Sequence, residues 1–266
     1  MSVLDPLSHA LAAVLAAAHH VFAFAGAGAG WLLAIVALVV LVRLALLPLT
    51  IRGVRTAHAS AKARPHLQKL QKKYAGRTAP EDVQAFLAER RRINSEHRVP
   101  RLGTLTLLAQ VPIWMALYHL VSEVARGTGM GAMTPALVAS LGAATLLGAP
   151  LASSGYLSGS LSHMAVTAGL AGVAALVNYL SQRLWVLPNT VTTDLPDAVA
   201  RAQHLMPVIS AVGMLVAGAA VPLALLVYWA CNGLWTAGQA AVIHRWFPTP
   251  GSPAAARRAA RLAVTS

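Results

Sequence analysis

Arg43 offers more chemistry than any other residue in the chain. It stands inside the run WLLAIVALVVLVRLALLPLTI from Trp31 to Ile51, about 21 residues that otherwise read as a membrane-crossing helix. An arginine at the centre of such a helix costs roughly 2.5 to 3.5 kcal/mol on insertion scales, so it marks a functional position. Arg52 is the next basic residue toward the helix end, about 13 Å away at ~1.5 Å per residue. An arginine stem covers only about half that distance, so water or a partner must come to Arg43. The eight acidic residues are Asp5, Glu81, Asp82, Glu89, Glu96, Glu123, Asp194 and Asp197, all outside the apolar spans read below. A fixed intramembrane salt bridge is therefore not expected, and the counter-charge falls to water or to a bound chain. At intermediate dielectric a carboxylate ~4 Å away is attracted by about 4 kcal/mol before desolvation is subtracted.

Other polar side chains cluster at the same depth. Gln110 has Thr106 one turn away on the same helical face, Asn178, Ser181 and Gln182 lie near the end of a third apolar run, and Asn232, Thr236 and Gln239 form one stripe at four- and three-residue spacing. Taken singly, each amide reads as interhelical glue. Their shared depth predicts a hydrophilic groove open on the cytoplasmic side and closed on the other. Catalytic chemistry has no comparable support: the ten histidines show no HExxH spacing and no intramembrane acid or serine partner, and the lone Cys231 excludes disulfide, multi-cysteine zinc and iron-sulfur frameworks. GAGAG at Gly26 to Gly30 follows no strand and lacks the Lys and Ser/Thr of a nucleotide loop, so it reads as a hinge. No cofactor, metal or enzymatic activity is expected.

The elements that hold these residues are set by composition. With 57% hydrophobic and 11% charged residues and a mean hydropathy of +0.61 over 266 residues, the chain is far from the roughly 25% charged average of soluble domains. It reads as an all-α polytopic membrane protein with five transmembrane helices: 31–51, 103–122, 163–182, 205–219 and 221–244, the last two joined by a tight turn near Gly218 and Pro222. Residues 52–101 carry 13 of the 21 Lys and Arg and the tail 245–266 carries Arg245, Arg257, Arg258 and Arg261, whereas residues 1–30 carry none and 123–162 only Arg126. Short basic loops stay in the cytoplasm, which puts the N-terminus outside and the C-terminus inside. The +13 charge then suits an anionic inner leaflet; sequence-specific nucleic-acid binding is not expected.

Between the first two spans, 52–102 reads as a basic helical hairpin. Ala57 to Ala75 would pack through Leu67, Leu70 and Tyr74 on Val83, Phe86, Leu87 and Ile93 of Pro80 to His97, with Thr78 and Glu81 at capping-box spacing. Residues 123–162 read as an external loop with a shallow apolar helix near Leu137 to Leu147, and 183–204 as a cytoplasmic loop. In 1–30, Leu7, Leu11, Val14, Ala18 and Val21 fit an interfacial helix on the outer surface; a sixth span is the alternative and would move the N-terminus inside. The absence of Lys and Arg there leaves no signal n-region, so this segment is expected to remain on the mature protein. Leu205 to Gly218 covers only about 21 Å, a mismatch expected to thin the bilayer.

RLALLP at Arg43 to Pro48, PHLQKLQKKYAG from Pro65, VPRLGTLTLLAQVPIWMALY from Val99, LMPVISAVG from Leu205 and PLALLVYWACNGLWTAGQ from Pro222 together resemble the YidC type of membrane protein insertase. That family includes the Oxa and Alb proteins of mitochondria and chloroplasts. The resemblance covers about residues 31 to 245. It implies a five-helix core with a cytoplasm-facing groove in which Arg43 receives polar parts of incoming chains, and a mobile hairpin that recruits them. The groove residues expected are Arg43, Thr106, Gln110, Asn178, Trp229, Asn232, Thr236 and Gln239. The implied partners are nascent membrane proteins and the lipid bilayer, with the Sec translocon and the ribosome as further contacts. The chain departs from the family at Thr104, Leu105 and Thr106, where a Cys-Leu-Pro run is usual, and its basic tail is short. A small-solute transporter is the alternative function, disfavoured because no inverted repeat or second intramembrane charge accompanies Arg43.

Overall fold

The computed structural model describes residues 5–99, 110–156, 159–191 and 197–265. Among them the regular secondary structure is helical apart from one two-residue strand pair and two isolated bridges, and the chain divides into two compact units.

The first unit contains helices α1 (Asp5–Phe22) and α2 (Ala27–Ala45), then α5 (Gln110–Ala125), α6 (Pro135–Ala143), α7 (Leu161–Ser181), α8 (Asp197–Gly218) and the first part of α9 (Leu223–Trp246). Within the expected GAGAG hinge the glycines do different things. Gly26 takes a positive φ of 88° and turns the chain. Gly28 lies inside α2, where a Cβ would sit 2.7 Å from the carbonyl oxygen of Thr145, so glycine there admits the ribbon of β1 (Thr145–Leu146) and β2 (Ala149–Pro150) against the helix. The helix ends at Ala45, ahead of Pro48, rather than running on to Ile51.

Among the described residues four helical stretches are long and apolar enough to cross a membrane: Asp5–Ala25, Ala27–Ala45, Leu161–Asn189 and Ala198–Gly218. Val111–Ala125 is a shorter apolar helix, and α9 has 24 residues diluted after its first nine by Asn232, Thr236 and Gln239. The expected 14-residue fourth span is part of a 22-residue helix beginning at Asp197, about 33 Å long, so helix length gives no ground for local thinning. Its flank of Val208, Ile209, Val212 and Val216 is exposed on the protein surface, as a lipid-facing helix requires and a water-facing one does not. Against α7 it packs through small residues: a Cβ on Gly218 would lie 3.1 Å from Cβ of Ala171.

The apolar core gathers at the end of this unit that carries residues 123–162. Trp31, Ile35 and Leu38 of α2, Leu117 and Leu120 of α5, and Leu11 and Leu15 of α1 pack there around α9. Six consecutive α9 residues, Leu223 to Tyr228, are buried. A helix buried through six residues is enclosed on all sides. The loop closes over this end. The N–H groups of Leu223 and Ala224, which the first turn of α9 cannot use internally, donate to the carbonyls of Ser153 and Leu151 at 2.9 Å each. His163 supports that strap, with Nε2 2.9 Å from the carbonyl oxygen of Gly155. The shallow helix expected near 137–147 is α6, capped by the Thr134 hydroxyl. In the first segment, α1 packs on α2 and α5, and His19 stacks on Trp31 at 3.8 Å.

The second unit is the helical hairpin with residues 188–191 and 242–265. Its helices are α3 (Leu47–Lys73) and α4 (Pro80–Glu96). Ala63, Leu70 and Ile93 are its buried seam, flanked by Leu67, Tyr74 and Phe86. Val83 and Leu87, expected in the seam, are exposed. Phe86 and Ile93 are seven residues apart and share one face of α4, which turns Val83 and Leu87 away. The capping box does not form: the N-cap is Ala79, without a side-chain bond, and Pro80 supplies the helix start instead.

Candidate functional site

Below the enclosed turns of α9, the helix face that meets α2 becomes polar. Asn232 and Thr236 lie four residues apart and so on one face. Arg43 reaches both: Nε and Nη2 donate to Asn232 Oδ1 at 2.9 and 2.7 Å, and Nη2 donates to Thr236 Oγ1 at 2.8 Å. The Thr236 hydroxyl in turn donates to the carbonyl of Asn232 at 2.9 Å, leaving its lone pairs for the guanidinium. A guanidinium has only donors, so the side-chain oxygen of Asn232 must face it. Three of its five N–H groups are thereby used, all on neutral acceptors. The two on Nη1 have no protein acceptor among the described residues. Nor does Arg43 enter any of the ion pairs found there, which join Lys73 to Glu89, Arg77 to Asp82, Arg92 to Glu96 and Arg126 to Glu123. Its positive charge is held in place without being neutralised.

Asn232 and Thr236 also line a cavity of about 370 Å³, together with Gly233 and Trp229 of α9, Trp114 of α5, Asn178 and Ser181 of α7, and Ser210 and Met214 of α8. The volume admits several waters. On its α7–α8 side the polar groups bind one another: Asn178 Nδ2 donates to Ser210 Oγ at 2.7 Å, and Gln182 Nε2 reaches Asn178 Oδ1 and Ser210 Oγ at 3.0 Å each. These amides do serve as interhelical glue, and they present a polar wall as well. Ser181 is buried with its hydroxyl unpaired, a group whose natural partner in such a space is water.

The expected groove residues separate accordingly. Asn178, Trp229, Asn232 and Thr236 line one cavity, and Arg43 joins it through two of them. Gln239 is half-buried farther along α9 and is not among the lining residues. Thr106 falls outside the described residues, and for Gln110, the first residue of α5, only the backbone is described. Trp114, Ser210, Met214 and Gly233 were not anticipated. Only Ser210 carried a readable signal, as the one hydroxyl in the apolar run LMPVISAVGMLVAG.

A family model described as 60Kd inner membrane protein matches residues 22–250. The chain belongs to that family, the YidC/Oxa/Alb family. The match includes Arg43 and every cavity-lining residue. Among relatives in the family, the membrane protein insertase YidC of Streptomyces avermitilis is 29% identical over 248 residues, 89% of this chain and 57% of its own length. The corresponding protein of Bifidobacterium longum is 24% identical, with 97% of this chain and 80% of the relative covered. That of Tropheryma whipplei is 26% identical, with 99% and 90% covered. The chain thus spans little more than half of the Streptomyces relative.

Proposed function

We propose that this chain is a membrane protein insertase, a catalyst of transfer from water to bilayer that makes and breaks no covalent bond. The observation that carries the reading is Arg43, charged, held on neutral partners and set beside a cavity with one polar wall. A nascent segment with a polar flank must cross hydrocarbon, and its barrier is chiefly the desolvation of that flank. A hydrated cavity within the membrane shortens the dry path. The two spare N–H groups of Arg43 offer a passing carboxylate a charge-assisted bond. Among the described residues no carboxylate competes for it. The names of the relatives support the same activity.

In this reading five helical segments cross the bilayer, α2, 103–122, α7, α8 and α9, with the N-terminus outside. The helical hairpin and the basic tail lie in the cytoplasm, where the hairpin recruits nascent membrane proteins; the translocon and ribosome are further partners. The cavity opens toward the cytoplasm, because the basic segments mark that side while the strap and apolar core occupy the other end of the bundle. Proteoliposomes containing only this protein should insert a single-span substrate with a short acidic flank and should pass no small solutes. Solute flux without insertion would establish the transporter instead.

A further inference from the structure

The C-terminal segment is built as a surface-seeking helix. From α9, which ends at Trp246, a turn through Pro248 and Gly251 leads to α10 (Pro253–Thr265). The turn is fixed: Thr249 N–H donates to Asn189 Oδ1 at 2.7 Å, and Ser252 Oγ accepts from Ala255 N–H at 3.2 Å, capping the helix. Only the first turn of α10 is buried, at Ala254 beside its cap Ser252; every residue from Ala256 to Val264 is exposed. Yet the helix is strongly two-faced. Arg257, Arg258 and Arg261 fall within one arc of about 100°, and Ala255, Ala259 and Leu262 share a separate stripe at helical spacing. At the junction with α9 a groove of about 700 Å³ mixes the same two chemistries, with Arg245, Arg258 and Arg261 beside Trp246, Leu262 and Val264. The segment 245–266 contains no acidic residue.

We infer that α10 docks onto an anionic phospholipid surface, its arginines on the lipid phosphates and Trp246 and Leu262 in the acyl boundary. This rests on the reading of α9 as a membrane-crossing helix, which delivers α10 to the interface within a few residues. Charge complementarity calls for an anionic partner, and the exposed apolar groups decide which one. RNA would engage the arginines and leave Leu262 and Trp246 in water. An anionic bilayer satisfies both faces at once, as it does for interfacial helices in general. Docking would hold the cytoplasmic end of α9 at a fixed depth, and with it the Asn232 and Thr236 that hold Arg43.

The test uses the full chain with Cys231→Ser and Ala259→Cys, labelled at residue 259 with an environment-sensitive dye. It is reconstituted in phosphatidylcholine vesicles and in phosphatidylcholine/phosphatidylglycerol vesicles, each with nitroxide-bearing lipid as quencher. Quenching should be strong only with phosphatidylglycerol and should fade with added salt. Replacing the three α10 arginines by glutamine should lower the docked-to-free ratio by roughly a hundredfold, at the usual surface contribution per basic residue. Leu262→Glu should also weaken docking while leaving the arginines in place. Equal quenching in both vesicles, or indifference to the arginine changes, overturns the proposal. A dye response to ribosomal RNA but not to phosphatidylglycerol overturns it in favour of a nucleic-acid contact. Alkali-resistant retention of the protein in both vesicle types reports the spans separately, so failure of the membrane reading itself would be distinguishable.

Discussion

A guanidinium bonded only to an amide oxygen and a hydroxyl keeps its full charge, and at Arg43 this separates two roles that a salt bridge would merge. The bonds to Asn232 and Thr236 aim the group. The charge remains for a substrate. Arg43→Lys keeps the charge but gives up the fork that spans both acceptors, so it should retain most insertion. Arg43→Ala should slow substrates with acidic translocated flanks by roughly tenfold or more, the worth of a charge-assisted bond, and spare those with neutral flanks. Interhelical hydrogen bonds in bilayers average only about 0.6 kcal/mol, so both variants should fold. The geometry adds a sharper case: Asn232→Asp places a carboxylate on Arg43 and should mimic Arg43→Ala on acidic flanks while leaving the arginine present. Reconstituted insertion of paired acidic and neutral substrates measures all three. Full activity of Asn232→Asp on acidic flanks would refute the charge mechanism.

At the scale of elements, the hairpin carries its own small core and its own electrostatic link. Lys73 donates to Glu89 at 3.0 Å, and the Tyr74 hydroxyl reaches the same carboxylate at 3.4 Å. The bond from Lys73 holds the Glu89 carboxyl below its ordinary range, and the same bond raises the Lys73 ammonium. Glu89 therefore contributes stability above an unfolded pKa of about 4.3, lost as pH falls through its lowered folded value. Lys73 contributes fully below about 10.4, and its share is lost as pH rises through its raised folded value. Hydrogen exchange across 63–93, corrected for intrinsic rates, should show a protection plateau between those limits. Glu89→Gln should flatten both edges, by a small amount because the pair is solvent-exposed. Unchanged edges would place the pH response elsewhere.

For the molecule as a whole, the distribution of packing predicts access. Leu225 lies in the enclosed turns of α9 and Thr236 on the cavity, three turns along the same helix. In a Cys231→Ser background, cysteine at 236 should react with a membrane-impermeant maleimide supplied from the cytoplasmic side, and cysteine at 225 from neither side. Reaction of residue 236 from the outside would mean a pore and would revive the transporter reading.

Much of this was legible in the sequence because it depends on local composition. Apolar runs of membrane-spanning length, the segregation of Lys and Arg and the depth of Arg43 need no knowledge of neighbours. The hairpin seam was partly legible as well, since a helix in water must hide its apolar face; Val83 and Leu87 were misplaced because spacing alone left the rotation of α4 open. Within the membrane units even that guide weakens. Lipid and protein core are both apolar, so the sequence of a membrane helix does not say which face turns inward. Trp114, Ser210 and Met214 became site residues only when α5 and α8 took their rotations. The partners of Arg43 lie 189 and 193 residues away along the chain. Composition could put an arginine at that depth, but only the packing of α2 on α9 could decide that the neutral side chains of Asn232 and Thr236 would meet it.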